Sequence, residues 1–555
     1  MQFSPKTATS LLGLCMFFTG ASGLVGEYIL STVSTYLLGN SIEQFSITIA
    51  LMLGMMGVGG WVQKFISSHF LIEKLIVIEI SLALLIGYAP LAIYAAFGFF
   101  PNHFLLVLYF FIISIGFLIG FEIPLIIRIN EHYAHNLKAN LSTVISADYF
   151  GSLVGALIWV YFLLPLFAIT QSSFIISGLN FVIALFATLY FGFFNKIKFK
   201  VTVSILLITT IGLLFYGYIK NISWNHVMQQ KFYEDKIVHA ETTKYQHLVM
   251  THNKTLDEYR LYINGNVQFS SLDEKRYHEL LVHPALHIAK NPKNILVLGG
   301  GDGLALRELN KYGSFEKITL IDLDPKMITF SKTNPMMKTL NKDAFSNAKV
   351  FVNDLNDVKT VGYRHVIQKD IDSFKNTSRF RSTVEVINAD ADVVLGKLAS
   401  NFYDLIIIDF PDPSSIELAK LYSKEFYLKL RRVIKKDAVI AIQATSPYHA
   451  KEAFLCIGRT LRSAGFKTVA YHHNIPSFGD WGWFLAGETI DKERIVRGFQ
   501  KLDSFDVNTS YLSPKLFLAS LEFGKNQLIS SRKDINTLME PALLFIYTHN
   551  AWLFY

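Results

Sequence analysis

Acidic side chains at the ends of apolar runs, all in the second half of a 555-residue chain, are where this sequence concentrates its capacity for chemistry. The stretch from Asn294 to Gly303 (NILVLGGGDG) reads as a buried strand running into a glycine loop, with a helix expected from about Leu304 to Lys311. Glycines such as Gly299 and Gly301 let a ligand approach the backbone closely and permit positive φ. A second strand, Lys317 to Ile321, ends in Asp322, about 20 residues past the loop, where an acid can accept both hydroxyls of a ribose. Val384 to Asp390, passing through Asn388, and Tyr403 to Asp409 read as a third and a fourth strand, and both deliver a carboxylate to the edge where open α/β sheets bind ligands. Asp412 follows on the stiff loop Phe410-Pro411-Asp412-Pro413, so two acids three residues apart could hold a dication or take up a proton. A lone glycine loop is as readily a tight turn, and a lone strand-end aspartate as readily a helix cap. The order strand, loop, helix, strand, acid makes a nucleoside-binding, Rossmann-like domain the better reading. No His/Glu motif or carboxylate cluster stands at metal-ligand spacing and no Ser/His/Asp or Cys/His set is recognisable, so no metal is expected.

The elements that must position these groups divide the chain sharply. Residues 1–220 hold 16 of the 96 Asp, Glu, Lys and Arg residues, and the remainder is charged like a soluble domain. Apolar runs near 10–38, 44–66, 74–98, 104–129, 141–165, 171–194 and 201–219 are each long enough to cross about 30 Å of hydrocarbon, which predicts a multi-pass α-helical bundle in a lipid bilayer. The first run is too long for a cleavable signal. Lys6, Lys64, Lys74, Arg128, Lys138, Lys196, Lys198 and Lys200 fall in the N-terminus and alternate loops, which should face the cytoplasm. With seven spans that rule would put the charged half outside, whereas a cytoplasmic metabolite as substrate would put it inside, as if the run 201–219 does not cross. Glu27, Glu122 and Asp148 lie within spans, as polar contacts between helices or as a path for a cationic amine, with Glu131 expected to pair with Arg128. Gly54, Gly57, Gly59, Gly60, Gly151 and Gly155 predict close helix packing.

The net charge of +8 is small and scattered, which excludes a nucleic-acid surface. Two distant cysteines, Cys15 and Cys456, exclude a disulfide framework and a thiolate metal site. Between 238 and 270, alternating residues with turn signals at 252–254 and Asn264-Gly265 predict a small antiparallel β unit. The helix expected over Leu272–Lys290 carries Asp273 and Glu274 in its first turn, as the helix dipole prefers. The expected boundaries are 1–220 for the helical bundle, 221–285 for the β-rich part, 286–495 for the Rossmann-like domain and 496–555 for a tail. That tail ends in an aromatic run too short to span a membrane and too apolar for water.

Four of these motifs together resemble the signature set of the spermidine synthases, over about 238–487. They are Tyr245-Gln246; the strand from Leu261 to Gln268; the helix motif Asp273-Glu274-Lys-Arg-Tyr277-His278-Glu279; and Gly299-Gly-Gly-Asp-Gly303. The resemblance implies a methyltransferase-type sheet behind a small β domain, and transfer of an aminopropyl group from decarboxylated S-adenosylmethionine, a co-substrate rather than a cofactor, to a diamine such as putrescine. It implies Gln246, His278 and Asp302 around the sulfonium and aminopropyl arm, Asp322 at the ribose, and Asp390, with Asn388, at the adenine. It implies Asp409 as the catalytic acid–base residue, helped by Tyr277, with Gln268, Asp412 and Gln443 shaping the acceptor site. Homo-oligomers are common among proteins of this resemblance. The sequence departs from the pattern at Ser414-Ser415, where Gly-Pro is usual, at Phe478, where a tyrosine is usual, and at Asp322, where Glu is usual. About 30 residues between Val352 and Ser382 read as an insertion, leaving Asn353-Asp354 as competitors for the end of the third strand. The rival readings are a methyltransferase on the same fold, which the acid Asp302 within the loop disfavours, and a non-catalytic polyamine sensor or transporter.

Overall fold

A chain segment with almost no charge has only its own backbone to satisfy its amides, and the first half does so in seven long helices: Pro5–Leu38, Ser41–Val62, Leu71–Phe99, Phe104–Asn130, Leu137–Ile158, Ile169–Phe193 and Lys200–Gln230. The computed structural model describes residues 5–551 except 40, 134–136, 195, 290, 314, 347 and 352–382. The chain falls into two compact units, Met1–Lys236 and Ile237–Tyr555. By length and composition, seven helices of the first unit could cross a membrane.

Within that unit, small residues bring helix backbones together. A Cβ at Gly59 would strike the Phe117 carbonyl, one at Gly151 the Phe17 carbonyl, and one at Gly155 would come within 2.6 Å of the Ala21 carbonyl. Gly54 and Gly57 have open space around them and do not pack as expected, whereas Gly120, which the sequence reading passed over, closes on Met56. Glu122 is fully buried against Glu79, an acid also passed over, to which Thr19 Oγ1 donates at 3.1 Å. Arg128 donates to the Gln63 carbonyl and to Ser68 Oγ, not to the expected Glu131.

The second unit opens with a four-stranded sheet, β1 (Lys236–Thr242), β2 (His247–Asn253), β3 (Glu258–Ile263) and β4 (Asn266–Ser270), in sequential order. Asn264 (φ 51°) and Gly265 (φ 82°) turn β3 into β4, two successive positive φ values that a tight hairpin of this hand requires. The remaining strands are β5 (Asn294–Gly299), β6 (Lys317–Asp322), β7 (Ala348–Phe351), β8 (Thr383–Asn388), β9 (Tyr403–Asp409), β10 (Ile434–Gln443), β11 (Lys467–Ile475) and β12 (Gly479–Gly487). They form one sheet in the order β11-β12-β10-β9-β5-β6-β8-β7, parallel except at β11 and β12. Successive residues of the central strands feed two different cores. Ile295, Val297, Leu405 and Ile407 enter one, while Leu296, Leu298, Ile406 and Ile408 enter the other. A sheet covered on both faces reads as continuous apolar runs, as these strands do. β8 ends at Asn388, opposite Asp322 of β6, so Asp390 lies just past the end of the strand beside β6. Asn353 and Asp354 lie outside the described residues.

The helix Glu274–Ala289 begins with Glu274 in its first turn, as expected, and its acids also tie it to other segments. Asp273 accepts from Ser477 N at 2.7 Å and Ser477 Oγ at 2.9 Å, and Glu274 takes the two terminal nitrogens of Arg307 at 2.8 and 2.7 Å. Fully buried Glu279 accepts the backbone N–H groups of Ser510, Tyr511 and Leu512 at 2.6, 2.9 and 2.8 Å. Beyond them, the tail returns to the core in the helix Ala542–Asn550, which buries Leu543 and Ile546 beside Phe454 and Cys456.

Removing Glu279 would strand those three amides, and an unsatisfied buried donor costs about 1–3 kcal/mol. Glu279→Ala should therefore lower unfolding stability by about 3 kcal/mol, measured by denaturant titration of tryptophan fluorescence on the purified protein. A loss below about 1 kcal/mol would mean that water replaces the carboxylate.

Candidate active site

β5 is the point at which the sheet changes direction: the chain goes to β6 on one side and reaches β9 on the other. Ligand crevices of open α/β sheets lie at the carboxyl ends of such a pair. Here Gly299, the last residue of β5, is in register with Asp409, the last of β9. Gly299 has φ 79°, and a Cβ there would collide with the Asp409 carbonyl, so the two strand ends meet at backbone contact.

Three groups converge over this junction. Tyr277 Oη donates to Asp409 Oδ1 at 2.7 Å, and His278 Nε2 stands 3.9 Å from Asp409 Oδ2. His278, Asp302 and Asp409 bring one ligating atom each within 4.8 Å of one another, and all three are buried. Burial pulls the His278 imidazole toward neutrality, but Glu274, which meets Nδ1 at 3.1 Å, together with Asp302 and Asp409, outweighs it and raises the pKa to about 9. Burial raises Asp302 to about 6 although His278 opposes it, and burial also raises Asp409, against the pull of His278 and Tyr277. The pocket thus contains one imidazolium for two desolvated acids.

The donor-side residues implied by the resemblance separate into two places. Asp322 lies under the glycine loop, accepting Gly301 N at 3.0 Å and Asp324 N at 2.9 Å, and burial raises its pKa to about 6. A Cβ on Gly301 would come within 2.6 Å of Asp322 Oδ2, which explains the glycine. The Gln246 amide donates to Asp324 Oδ2 at 2.8 Å, where Thr243 Oγ1 also donates at 2.7 Å. Asp390 caps the helix Ala391–Leu395 through Asp392 N and pairs with Lys420 Nζ at 2.8 Å.

Of the residues that the resemblance implies for the acceptor, Gln268 is half-buried on β4. Gln443 gives its amide to the Phe410 carbonyl at 2.5 Å and to Tyr422 Oη at 2.6 Å, bracing the loop that carries Asp412. Asp412 Oδ2 accepts Thr445 Oγ1 at 3.0 Å and Tyr547 Oη at 2.7 Å, and burial raises its carboxyl to about 6. Thr445, a β-branched residue held at φ 60°, stores local strain at this point. Sequence reasoning missed Asp324, Thr445, Tyr422 and Tyr547. Asp324, two residues past the ribose acid and directly before Pro325, carried a helix-start signal; nothing in the sequence marked Tyr547. A second buried trio, Glu279, His283 and Glu308, also converges within 4.8 Å, but Arg307 and Lys311 pair with Glu308 and backbone amides occupy Glu279.

Comparison with known proteins places this geometry. Residues 274–371 and 364–494 match the family described as "Spermine/spermidine synthase domain". Polyamine aminopropyltransferase 2 of Aquifex aeolicus is 34% identical over 98% of this chain and 99% of its own length. Polyamine aminopropyltransferase of Leptospira interrogans is 35% identical over 97% of both chains. A crystal structure of spermidine synthase in complex with the transition state analogue AdoDATO overlays 53% of this chain and 88% of its own at 22% identity, with a TM-score of 0.42.

Because burial holds the Asp412 carboxyl up at about 6, the part of the site implied for the acceptor gains negative charge as pH rises through that value. A simple diamine stays a dication over this range, so its binding should tighten about tenfold or more between pH 5 and pH 7, read by titration calorimetry. Affinity flat across that interval would show that the Asp412 carboxylate does not hold the amine.

Proposed function

The chain belongs to the polyamine aminopropyltransferase family, and from that premise we propose how its residues divide the reaction. The protein is an enzyme that transfers an aminopropyl group. The donor is decarboxylated S-adenosylmethionine, a co-substrate, and no separate cofactor is needed. What supports the assignment of roles is one observation, the buried junction at which Asp409, Tyr277, His278 and Asp302 meet over the Gly299–Asp409 register pair.

The donor carries two positive charges, a sulfonium and the ammonium of its aminopropyl arm. Asp302 takes the ammonium, and Asp322 the ribose hydroxyls under the glycine loop. Intact S-adenosylmethionine would set a carboxylate against Asp302 and be repelled, which distinguishes this site from that of a methyltransferase. The His278 imidazolium faces the same carboxylates, so the aminopropyl cation shares them with it. Asn388 and Asp390 bound the adenine end, where Lys420 already holds Asp390.

The acceptor is a diamine, with putrescine-like length, lying between Gln268 and Asp412. One of its ends must lose a proton before nitrogen can attack. Asp409, oriented by Tyr277, accepts that proton; the nitrogen lone pair forms a bond to the methylene beside sulfur as the carbon–sulfur bond breaks and its electron pair returns to sulfur. The products are the lengthened polyamine and methylthioadenosine. Sulfonium is already a good leaving group, so the acids act mainly by positioning two cations against each other's repulsion.

We further propose that six of the seven apolar helices span a bilayer while the seventh, Lys200–Gln230, does not cross, anchoring a catalytic unit that faces the cytoplasm, where its substrates are made. The basic residues Lys64, Lys74, Arg128, Lys196 and Lys198 at alternate ends support a cytoplasmic side, provided the helix Lys200–Gln230 does not cross.

Asp409→Asn should lower the rate of methylthioadenosine release by about 10³-fold, within the range for a lost general base, while nucleoside binding persists. Undiminished turnover would remove Asp409 from the chemistry. The membrane side can be read with a membrane-impermeant maleimide, because the native Cys15 and Cys456 are both buried. Cysteines placed at Lys138 and Ser271 should stay unlabelled in intact cells and label after permeabilisation; labelling of the Ser271 position in intact cells would put the catalytic unit outside.

A further inference from the structure

Asp412 is positioned by the far end of its own chain. Its Oδ2 takes two hydroxyl donors, Tyr547 Oη at 2.7 Å and Thr445 Oγ1 at 3.0 Å, while Oδ1 has the long 3.4 Å contact from Gln443 Nε2. One oxygen is fixed twice over and the other retains the capacity to meet an ammonium. We propose that the C-terminal helix Ala542–Asn550 is a wall of the acceptor site and that Tyr547 is a positioning residue for Asp412, so that the tail sets the affinity for the acceptor amine. This rests on the reading of Asp412 as an acceptor-binding group.

The helix is placed for this role independently of Tyr547. Leu543 is fully buried and Ile546 is nearly so. Asn536, also buried, donates from Nδ2 to the Ala419 carbonyl at 2.7 Å, and its backbone N–H bonds Thr460 Oγ1 at 2.9 Å. Its carbonyl receives Lys424 N at 2.9 Å. Ala419 lies in the short helix Ile416–Lys420 that follows the Asp412 loop, so the tail grips that loop from behind and Tyr547 meets it at the acid. The Tyr547 ring packs against the apolar core, and its hydroxyl donates to the Asp412 carboxylate. Phe478, whose ring packs on Tyr277 and Trp481, has no hydroxyl to offer the site.

The test is steady-state kinetics of the full-length protein with saturating decarboxylated S-adenosylmethionine and varied 1,4-diaminobutane. Tyr547→Phe should raise the diamine KM about tenfold, the size expected for one hydrogen bond to a charged group, with kcat within twofold and the donor KM unchanged. Asp412→Asn should raise the same KM, and the double variant should be no worse than Asp412→Asn alone, because the hydroxyl acts through that carboxylate. Phe545→Ala, on the exposed face of the same helix, should leave all constants unchanged. An unchanged diamine KM in Tyr547→Phe, with a raised one in Asp412→Asn, overturns the role of Tyr547 and leaves the acceptor assignment standing. An unchanged KM in Asp412→Asn overturns both.

Discussion

Carboxylates taken out of water at the carboxyl edge of one sheet are the constraint around which the catalytic unit is arranged. Asp302, Asp322, Asp409 and Asp412 are all pushed toward their neutral forms by burial. An uncompensated charge in such surroundings costs several kcal/mol, so the fold must either supply cations or wait for them. It supplies one at the reacting centre, the His278 imidazolium, and that cation is itself held through a relay of opposite charges. His278 leans on Glu274, Glu274 on Arg307, Arg307 on Glu308, and Glu308 on His283 and Lys311. The chain of pairs fastens the helix Glu274–Ala289 to the helix Leu304–Asn310 behind the glycine loop, so the same interactions that keep His278 charged hold the helix into which that loop runs.

A site built this way is incomplete without its substrates. On the roles proposed above, two ligands that each bring ammonium or sulfonium charge meet acids already taken out of water, Asp302 for the donor and Asp412 for the acceptor. The binding of two like-charged molecules next to one another, otherwise unfavourable, becomes possible because the cavity carries the opposite sign before either arrives.

How much of this the sequence disclosed follows from distance along the chain. The glycine loop, the strand-end acids Asp322 and Asp409, and the Asn264-Gly265 turn are local patterns, and their meaning survives without knowledge of the fold. Glu274 and Asp273 were equally visible but were read as charges favoured by a helix dipole; their partners, Arg307 and Ser477, are brought to them only by tertiary packing. Asp390 stood at the expected place after a strand, yet a cap and Lys420 occupy its carboxylate. In the helical unit, glycine spacing could not tell Gly59, which closes on a neighbour, from Gly54, which faces open space, because both occupy an equally apolar run.

On the roles proposed for them, the donor and acceptor ends differ in the same respect, and the difference has a physical origin. The donor end is a backbone cradle made by contiguous residues, Gly299 to Gly303, whose geometry follows from φ values that glycine alone adopts easily. The acceptor end stands on the loop Asp412-Pro413-Ser414-Ser415, in which Ser415 caps the next helix through Leu418 N at 3.3 Å. A loop fixed at both ends by a strand and a capped helix still needs lateral support for its acid. That support comes from Tyr422 on the Pro411 carbonyl, Gln443 on the Phe410 carbonyl, strained Thr445, and Tyr547 from 135 residues away. Recognition of a nucleoside by backbone tolerates little variation, whereas an ammonium pocket assembled from remote side chains can be altered one residue at a time. On the proposed assignment, the freedom to change acceptor resides in the part of the site that the chain assembles from distant segments.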